Sequence, residues 1–257
     1  MILIDTHTHL FLEHFDEDRA EVINESVKDG VQKLFIPNID SSTIKKVVKM
    51  GKEYPGICYP IIGLHPTSVK ENYWKELEDL EHWISKETFY GIGETGIDLY
   101  WDKTYKKEQE EAFRYQINLA KRTGLPLIIH SRESFDEIFA IVDELNDDKL
   151  KGIFHSFTGT SEQAEKILSY KGFKIGIGGI VTFKNSGLAD VVAKIGLEHL
   201  VLETDSPYLA PTPKRGKRNQ SSYLPFIAQK IADVHHVDIE TVAKITTANA
   251  KKLFQID

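Results

Sequence analysis

Two histidines separated by one residue, His7 and His9, stand just after the short apolar run Ile2-Leu3-Ile4-Asp5 at the start of the chain. Side chains two apart on an extended segment point to the same side, so both imidazoles can reach one cation. An HxH pair alone is a weak signal. Its weight comes from the residues at the ends of the other apolar runs. Gly63-Leu64-His65-Pro66 ends the third, Gly93-Glu94-Thr95-Gly96 the fourth, and His130-Ser131-Arg132 the fifth. His155-Ser156-Phe157 ends the sixth, and Glu203-Thr204-Asp205-Ser206-Pro207 the eighth. Packing does not account for His7, His9, Glu94, His130, His155 and Asp205 recurring in this way, because buried ionisable groups need partners. Mixed imidazole and carboxylate donors suit zinc, manganese, iron or nickel better than calcium. A carboxylate such as Glu94 can bridge two cations, and ions about 3.5–4 Å apart can activate a water between them. His14, His82, His199, His235 and His236 fall in helical or connecting segments and read as ordinary surface or packing residues.

The elements that must carry this set are short and regular. Eight apolar runs, at 2–5, 33–37, 58–63, 90–93, 126–129, 152–154, 173–177 and 200–202, are bounded by Gly, Pro or polar residues, as buried parallel strands are. Amphipathic stretches lie between them: 106–123, stopped by Gly124-Leu125-Pro126; 133–146; and 161–171, with Ser161 as the expected N-cap. Two more helices, near 221–235 and 238–253, close the chain. Alternation at about thirty residues per unit predicts an α/β fold, a (β/α)8 TIM-type barrel, with the metal set at the C-terminal face of the strands. An open doubly wound sheet would favour a glycine-rich loop after the first strand, where Thr6-His7-Thr8-His9 stands instead. With no linker, low-complexity tract or repeat, residues 1–257 read as one barrel domain.

Composition narrows the function. The 257 residues carry a formal net charge of −7, which argues against a protein that coats duplex DNA. No apolar run is long enough to cross a bilayer, and the N-terminus has neither the basic region nor the cleavage site of a secretory signal. One cysteine, Cys58, excludes an internal disulfide framework; it reads as a small core residue, and a reducing cytoplasm is the simplest location. Basic residues do cluster after the eighth strand, at Lys214, Arg215, Lys217 and Arg218, where they are suited to hold a phosphate. A solvated loop explains each of them equally well. Arg132 either orients substrate or pairs with a carboxylate. Tyr100, Trp101 and Tyr208 either stack a splayed base or pack conventionally.

The motifs Asp5-Thr6-His7-Thr8-His9-Leu10, Gly63-Leu64-His65-Pro66, Gly93-Glu94-Thr95-Gly96-Ile97-Asp98, His155-Ser156-Phe157-Thr158-Gly159 and Glu203-Thr204-Asp205-Ser206-Pro207-Tyr208-Leu209 resemble, in order, the signatures of the TatD family of metal-dependent hydrolases. The resemblance spans essentially the whole chain. It implies an amidohydrolase-like barrel with two divalent ions, Mg, Mn or Zn. His7 and His9 would bind the first, Glu94 would bridge both, and His130 and His155 would bind the second. Asp205 would bind the first ion and act as general base, and His65 would contact substrate. Many relatives carry Arg-Gly-Lys-Arg-Asn-Glu-Pro after the eighth strand; here Gln220-Ser221 replaces Glu-Pro. The expected reaction is deoxyribonuclease cleavage of phosphodiesters at nucleic-acid ends, single-stranded or frayed, with His65, Arg132, Arg215 and Arg218 on the substrate; a monomer suffices. Hydrolysis of a carboxylic ester or amide, such as D-aminoacyl-tRNA, would use the same centre. A metal-stabilised binding protein without chemistry would need a missing base or ligand, and all six positions are filled.

Overall fold

A computed structural model describes all 257 residues. The strands are β1 (Leu3–Asp5), β2 (Val31–Pro37), β3 (Cys58–Ile61), β4 (Ile92–Asp98), β5 (Leu127–Arg132), β6 (Gly152–Phe154), β7 (Phe173–Ile177) and β8 (Leu200–Leu202). The helices are α1 (Arg19–Lys28), α2 (Ser41–Glu53), α3 (Tyr73–Ile84), α4 (Lys106–Thr123), α5 (Phe135–Leu145), α6 (Ser161–Ser169), α7 (Leu188–Val192), α8 (Leu224–His235) and α9 (Ile239–Phe254). All strand pairing is parallel, with β1–β3 in one sheet and β4–β8 in another. Bridges Ile62–Ile92 and Thr8–Ser206 join the two sheets at both seams, which makes one (β/α)8 ring. At the first seam no space remains for a Cβ on Gly63, which lies against the backbone of Gly93.

Two apolar layers hold the ring. The larger lies between strands and helices. The smaller fills the lumen with Ile4, Phe35, Tyr59, Ile61, Ile128, Ile153 and Val201, and Ala250, Leu253 and Phe254 of α9 pack into it. Phe254 stacks on Phe35 with ring centroids 3.7 Å apart, so the last helix plugs the barrel. Strand alternation then determines what stands above the plug. Two residues beyond Ile128, Ile153 and Val201 come His130, His155 and Glu203, on the same inward side.

Two local expectations change. β4 does not stop at Gly93 but runs through Glu94 to Asp98, pairing Gly96 with His130 and Asp98 with Arg132. Its polar and glycine-rich sequence hid this: Gly96 (φ +141°) packs so closely on His130 that a Cβ would strike the His130 carbonyl. The N-cap of α6 is Thr160, not Ser161. Thr160 Oγ1 accepts from the Gln163 N–H at 3.3 Å, and Gln163 Oε1 accepts from the Thr160 N–H at 2.8 Å. A capping box needs Glu or Gln three residues after the cap, which Gln163 supplies to Thr160. The expected 106–123 helix is α4, ended by Gly124 in the left-handed region at φ +71°.

Candidate metal centre

His7 and His9 leave β1 as it meets β8. Asp5 ties this junction together: its carboxylate accepts the N–H groups of His7 (3.2 Å) and Thr204 (2.9 Å) and the Thr204 hydroxyl (2.6 Å). Burial pushes the Asp5 carboxyl up to about 7 against these hydrogen bonds. From the other side, α4 holds the third and fourth strand ends. Gln116 accepts the Leu64 N–H at 2.8 Å and donates to Thr95 Oγ1 at 2.6 Å, and Gln109, two turns earlier, accepts the Asp98 N–H at 2.8 Å.

The structure brings all six expected donors together. His7 Nε2 lies 3.1 Å from His9 Nε2, 3.2 Å from Glu94 Oε2 and 3.9 Å from Asp205 Oδ1. His9 Nε2 lies 3.7 Å from Glu94 Oε2 and 3.5 Å from Asp205 Oδ1. The other oxygen of the same carboxylate, Glu94 Oε1, faces a different group: His130 Nδ1 at 2.8 Å, His65 Nε2 at 3.4 Å and His155 Nε2 at 3.5 Å. His155 Nε2 is also 4.0 Å from Asp205 Oδ1, and its ring stacks on His7 with centroids 3.5 Å apart.

The outer nitrogens sort these histidines by role. His130 Nε2 is 2.9 Å from Asp98 Oδ2 and its Nδ1 is 2.8 Å from Glu94 Oε1, so the protonated ring donates to both carboxylates, and on giving up one proton it keeps Nε2–H on Asp98 and turns an Nδ1 lone pair inward for a cation. His155 Nδ1 is 3.0 Å from Glu203 Oε1, an ion-pair contact without the alignment of a hydrogen bond, and it favours the Nε2 lone pair inward. His65 is the reverse: Nδ1 accepts the Thr67 N–H at 3.1 Å, so in the neutral ring the proton sits on Nε2 and points toward Glu94. His65 therefore presents a donor to the centre, although its position alone would admit it to a cluster with Glu94 and His130. Asp98 and Glu203, which hold the outer nitrogens of His130 and His155, are the site residues that inspection of strand ends does not single out. Each lies in one of the family-like motifs, and the available signal was a second carboxylate four residues after Glu94 and two before Asp205.

The donor set fits divalent cations. Four donors about 2.1 Å from one ion are separated by about 3.0–3.5 Å, and the spacings around His7, His9, Glu94 Oε2 and Asp205 approach that range. Two buried imidazole nitrogens 3.1 Å apart beside two carboxylates have lone pairs that a cation satisfies. Burial, reinforced by the charge of His155, lowers His7 to about 4 and keeps it a neutral donor. Burial opposes ionisation of Glu94, yet the surrounding histidines outweigh it and hold the carboxyl well below its ordinary value. Asp205 is held down in the same way by His9, His155 and His7 against burial.

The expected substrate residues divide. Arg132 pairs with no carboxylate; its guanidinium lies 3.9 Å from the centroid of Tyr100 and 5.2 Å from that of Trp101. Arg215 lies 3.8 Å over Phe183. A stacked guanidinium keeps its N–H donors in its own plane, free for a phosphate. Arg218 is otherwise engaged: it forms a two-pronged pair with Asp18 (2.5 and 2.9 Å) and donates to the His14 carbonyl at 2.5 Å. It ties the loop after β8 to the start of α1, which removes the reason to place it on substrate. In the same loop Asn219 donates to the carbonyls of Thr204 (2.7 Å) and Tyr208 (2.6 Å). Gln220 donates to Glu25 at 3.1 Å and Ser221 to Thr8 at 3.4 Å. Tyr100, Trp101 and Tyr208 are 49%, 68% and 49% exposed, which is not conventional packing.

The model of the family described as TatD related DNase matches residues 4–255. The chain belongs to this TatD family. An uncharacterized metal-dependent hydrolase of Bacillus subtilis, YabD, is 39% identical over 257 residues, covering 100% of both chains. A protein of Rahnella named 3'-5' ssDNA/RNA exonuclease TatD is 32% identical, covering 94% of each. In three dimensions the chain superposes on the TatD homolog YjjV of Escherichia coli with a TM-score of 0.93 at 28% identity, covering 99% of this chain and 98% of the other. The protein is thus a metal-dependent hydrolase of the TatD family with a (β/α)8 TIM-type barrel.

Proposed function

We propose that this TatD-family protein cleaves phosphodiester bonds at single-stranded or frayed nucleic-acid ends, using two divalent cations shared through Glu94. The observation that carries the reading is the division of Glu94: Oε2 faces His7 and His9, while Oε1 faces His130 and His155. In this reading His7, His9, Glu94 and Asp205 hold the first cation, and Glu94, His130 and His155 the second. Bound there, Mg, Mn or Zn would supply Lewis acidity toward a phosphoryl oxygen and lower the pKa of a water. Asp205, ionised and partly open to solvent at 16% side-chain exposure, accepts the proton of the attacking water. His65 donates from Nε2 to a phosphoryl oxygen, and Arg132 and Arg215 offer in-plane N–H groups to the chain beyond the scissile bond. The leaving oxygen departs opposite the attack as the P–O bond breaks. The Rahnella relative's name supports a nucleic-acid substrate. A net charge of −7 suits an enzyme that meets a strand at its end better than one that coats a duplex.

The test is incubation with single-stranded DNA and Mg2+, Mn2+ or Zn2+, with D-aminoacyl-tRNA assayed in parallel. Shortening from the ends is expected, abolished by EDTA and reduced by roughly 10²–10⁴ in Asp205→Ala. Cleavage that survives both controls, absence of cleavage with every metal, or turnover of the aminoacyl ester alone overturns the proposal.

A further inference from the structure

Beside the cluster, one carboxylate does two things at once. Asp98 Oδ2 meets His130 Nε2 at 2.9 Å, and Asp98 Oδ1 accepts the N–H groups of Tyr100 (3.0 Å) and Trp101 (3.3 Å). The turn that leaves β4 is thereby fixed to the histidine at the centre. It holds two aromatic rings in solvent, Tyr100 at 49% and Trp101 at 68% exposure, edge to face with centroids 4.9 Å apart. Arg132 is the residue opposite Asp98 in the β4–β5 backbone register, and its guanidinium, free of any carboxylate, stacks on Tyr100 and lies near Trp101. Exposed aromatic area of this size gains nothing from the fold, and three flat groups in one corner form a surface that other flat groups can cover.

We infer that Tyr100, Trp101 and Arg132 form a stacking shelf for the nucleobase at the end of a single strand, next to the phosphate held at the metal centre. The inference rests on the nucleic-acid reading of the site and adds to it the part of the substrate that is recognised. The shelf is sequence-tolerant, because every base offers a π-face and these side chains present faces rather than a hydrogen-bonding pattern. It selects single strands: a base in a duplex already has its face covered by its neighbour and must unstack to reach the shelf. Because the Asp98 carboxylate grips both the shelf and His130, a base seated there stands at a fixed offset from the centre.

Short single-stranded phosphorothioate oligonucleotides, which resist hydrolysis, provide the test when titrated calorimetrically into the Mn2+-loaded protein. Three ligands are compared: intact, abasic at the 3′ terminus and abasic at the 5′ terminus. One of the abasic ends is expected to weaken binding roughly five- to a hundredfold, the contribution of one stacked base. Trp101→Ala should weaken the intact ligand by a similar factor and erase the difference between intact and abasic ligands, whereas Trp101→Phe keeps most of it. Both rings are exposed, so the variants should fold, which circular dichroism verifies. Equal wild-type affinity for all three ligands overturns the shelf, as does a Trp101→Ala loss that is the same for intact and abasic ends. If the wild type degrades unmodified oligonucleotides yet shows no terminal-base preference, the shelf alone fails. If it neither binds nor degrades any oligonucleotide, the nuclease reading fails with it.

Discussion

At the scale of single residues, the outer contacts of the histidines decide how the centre takes up metal. Asp98 fixes the ring of His130, so Asp98→Asn should lower affinity for a cation on the His130 side of the cluster about 10–100-fold while leaving the fold intact. Chelator competition against the wild type reads the loss; unchanged affinity would show that His130 is positioned without Asp98. Protons report on the same contacts. Burial pulls both histidines down, but Asp98 and Glu94 outweigh it for His130, which rises to about 9. Glu203 and Glu94 do the same for His155, which rises to about 10. Both rings are therefore protonated at pH 7 without metal, and a cation has to displace those protons. Metal binding should tighten from pH 7 toward pH 9 and release about two protons per protein near neutrality. Calorimetry in buffers of different ionisation enthalpy measures the release, and binding independent of pH across this interval would contradict the assignment. The six donors were legible in the sequence because strand ends recur at readable intervals. Asp98 and Glu203 were not, because a carboxylate beside a ligand looks in sequence like any other; only the 2.9 Å and 3.0 Å contacts assign them.

At the scale of elements, the strands divide along their length: lower residues build an apolar plug, and residues two further on carry the histidines and carboxylates of the cluster. The plug is completed by α9, whose Phe254 is 4% exposed and stacked on Phe35. Phe254→Ala removes that ring from the lumen and should cost about 3–5 kcal/mol of stability. Thermal unfolding checks this, with metal affinity below the transition expected to stay near that of the wild type because the plug lies at the other end of the strands. A full loss of metal binding in the folded variant would show that the plug and the centre are coupled. Most of the ring could be read from hydrophobic runs, and α4 from its period and its glycine stop. What could not be read was where polar residues continue a strand. Glu94 to Asp98 hold β4 together through pairing with β5 and through Gln109 and Gln116 of α4, contacts that depend on residues distant in the chain. Nor does an amphipathic pattern say that the apolar end of α9 enters the barrel rather than lying along its flank.

At the scale of the whole molecule, no helix is long and apolar enough to cross a membrane, and the chain carries a net charge of −7. That balance disfavours a polyanion on average, so local basic groups and bound cations decide where it can approach. The loop after β8 looked in sequence like a source of four positive charges for that purpose. The fold commits Arg218 to Asp18 and stacks Arg215 on Phe183, while Lys214 lies 5.2 Å from the centroid of Tyr223. On the proposed end-acting geometry, Arg132 and Arg215, whose guanidinium groups are stacked but not ion-paired, are the side chains that meet phosphates. Their number sets the salt dependence of binding. For single strands the slope of log K against log salt is about −0.7 per phosphate neutralised, so one or two contacts give roughly −0.7 to −1.4. Affinity for a short single strand should then fall only about three- to sevenfold between 50 and 200 mM salt. Arg132→Ala should flatten the slope by about one contact, whereas Arg218→Ala should leave it unchanged while loosening the loop. Binding isotherms at four salt concentrations measure these slopes. A slope steeper than about −3 would mean that the strand runs along a basic path beyond the site, and the end-acting geometry would have to give way to one that grips the strand along its length.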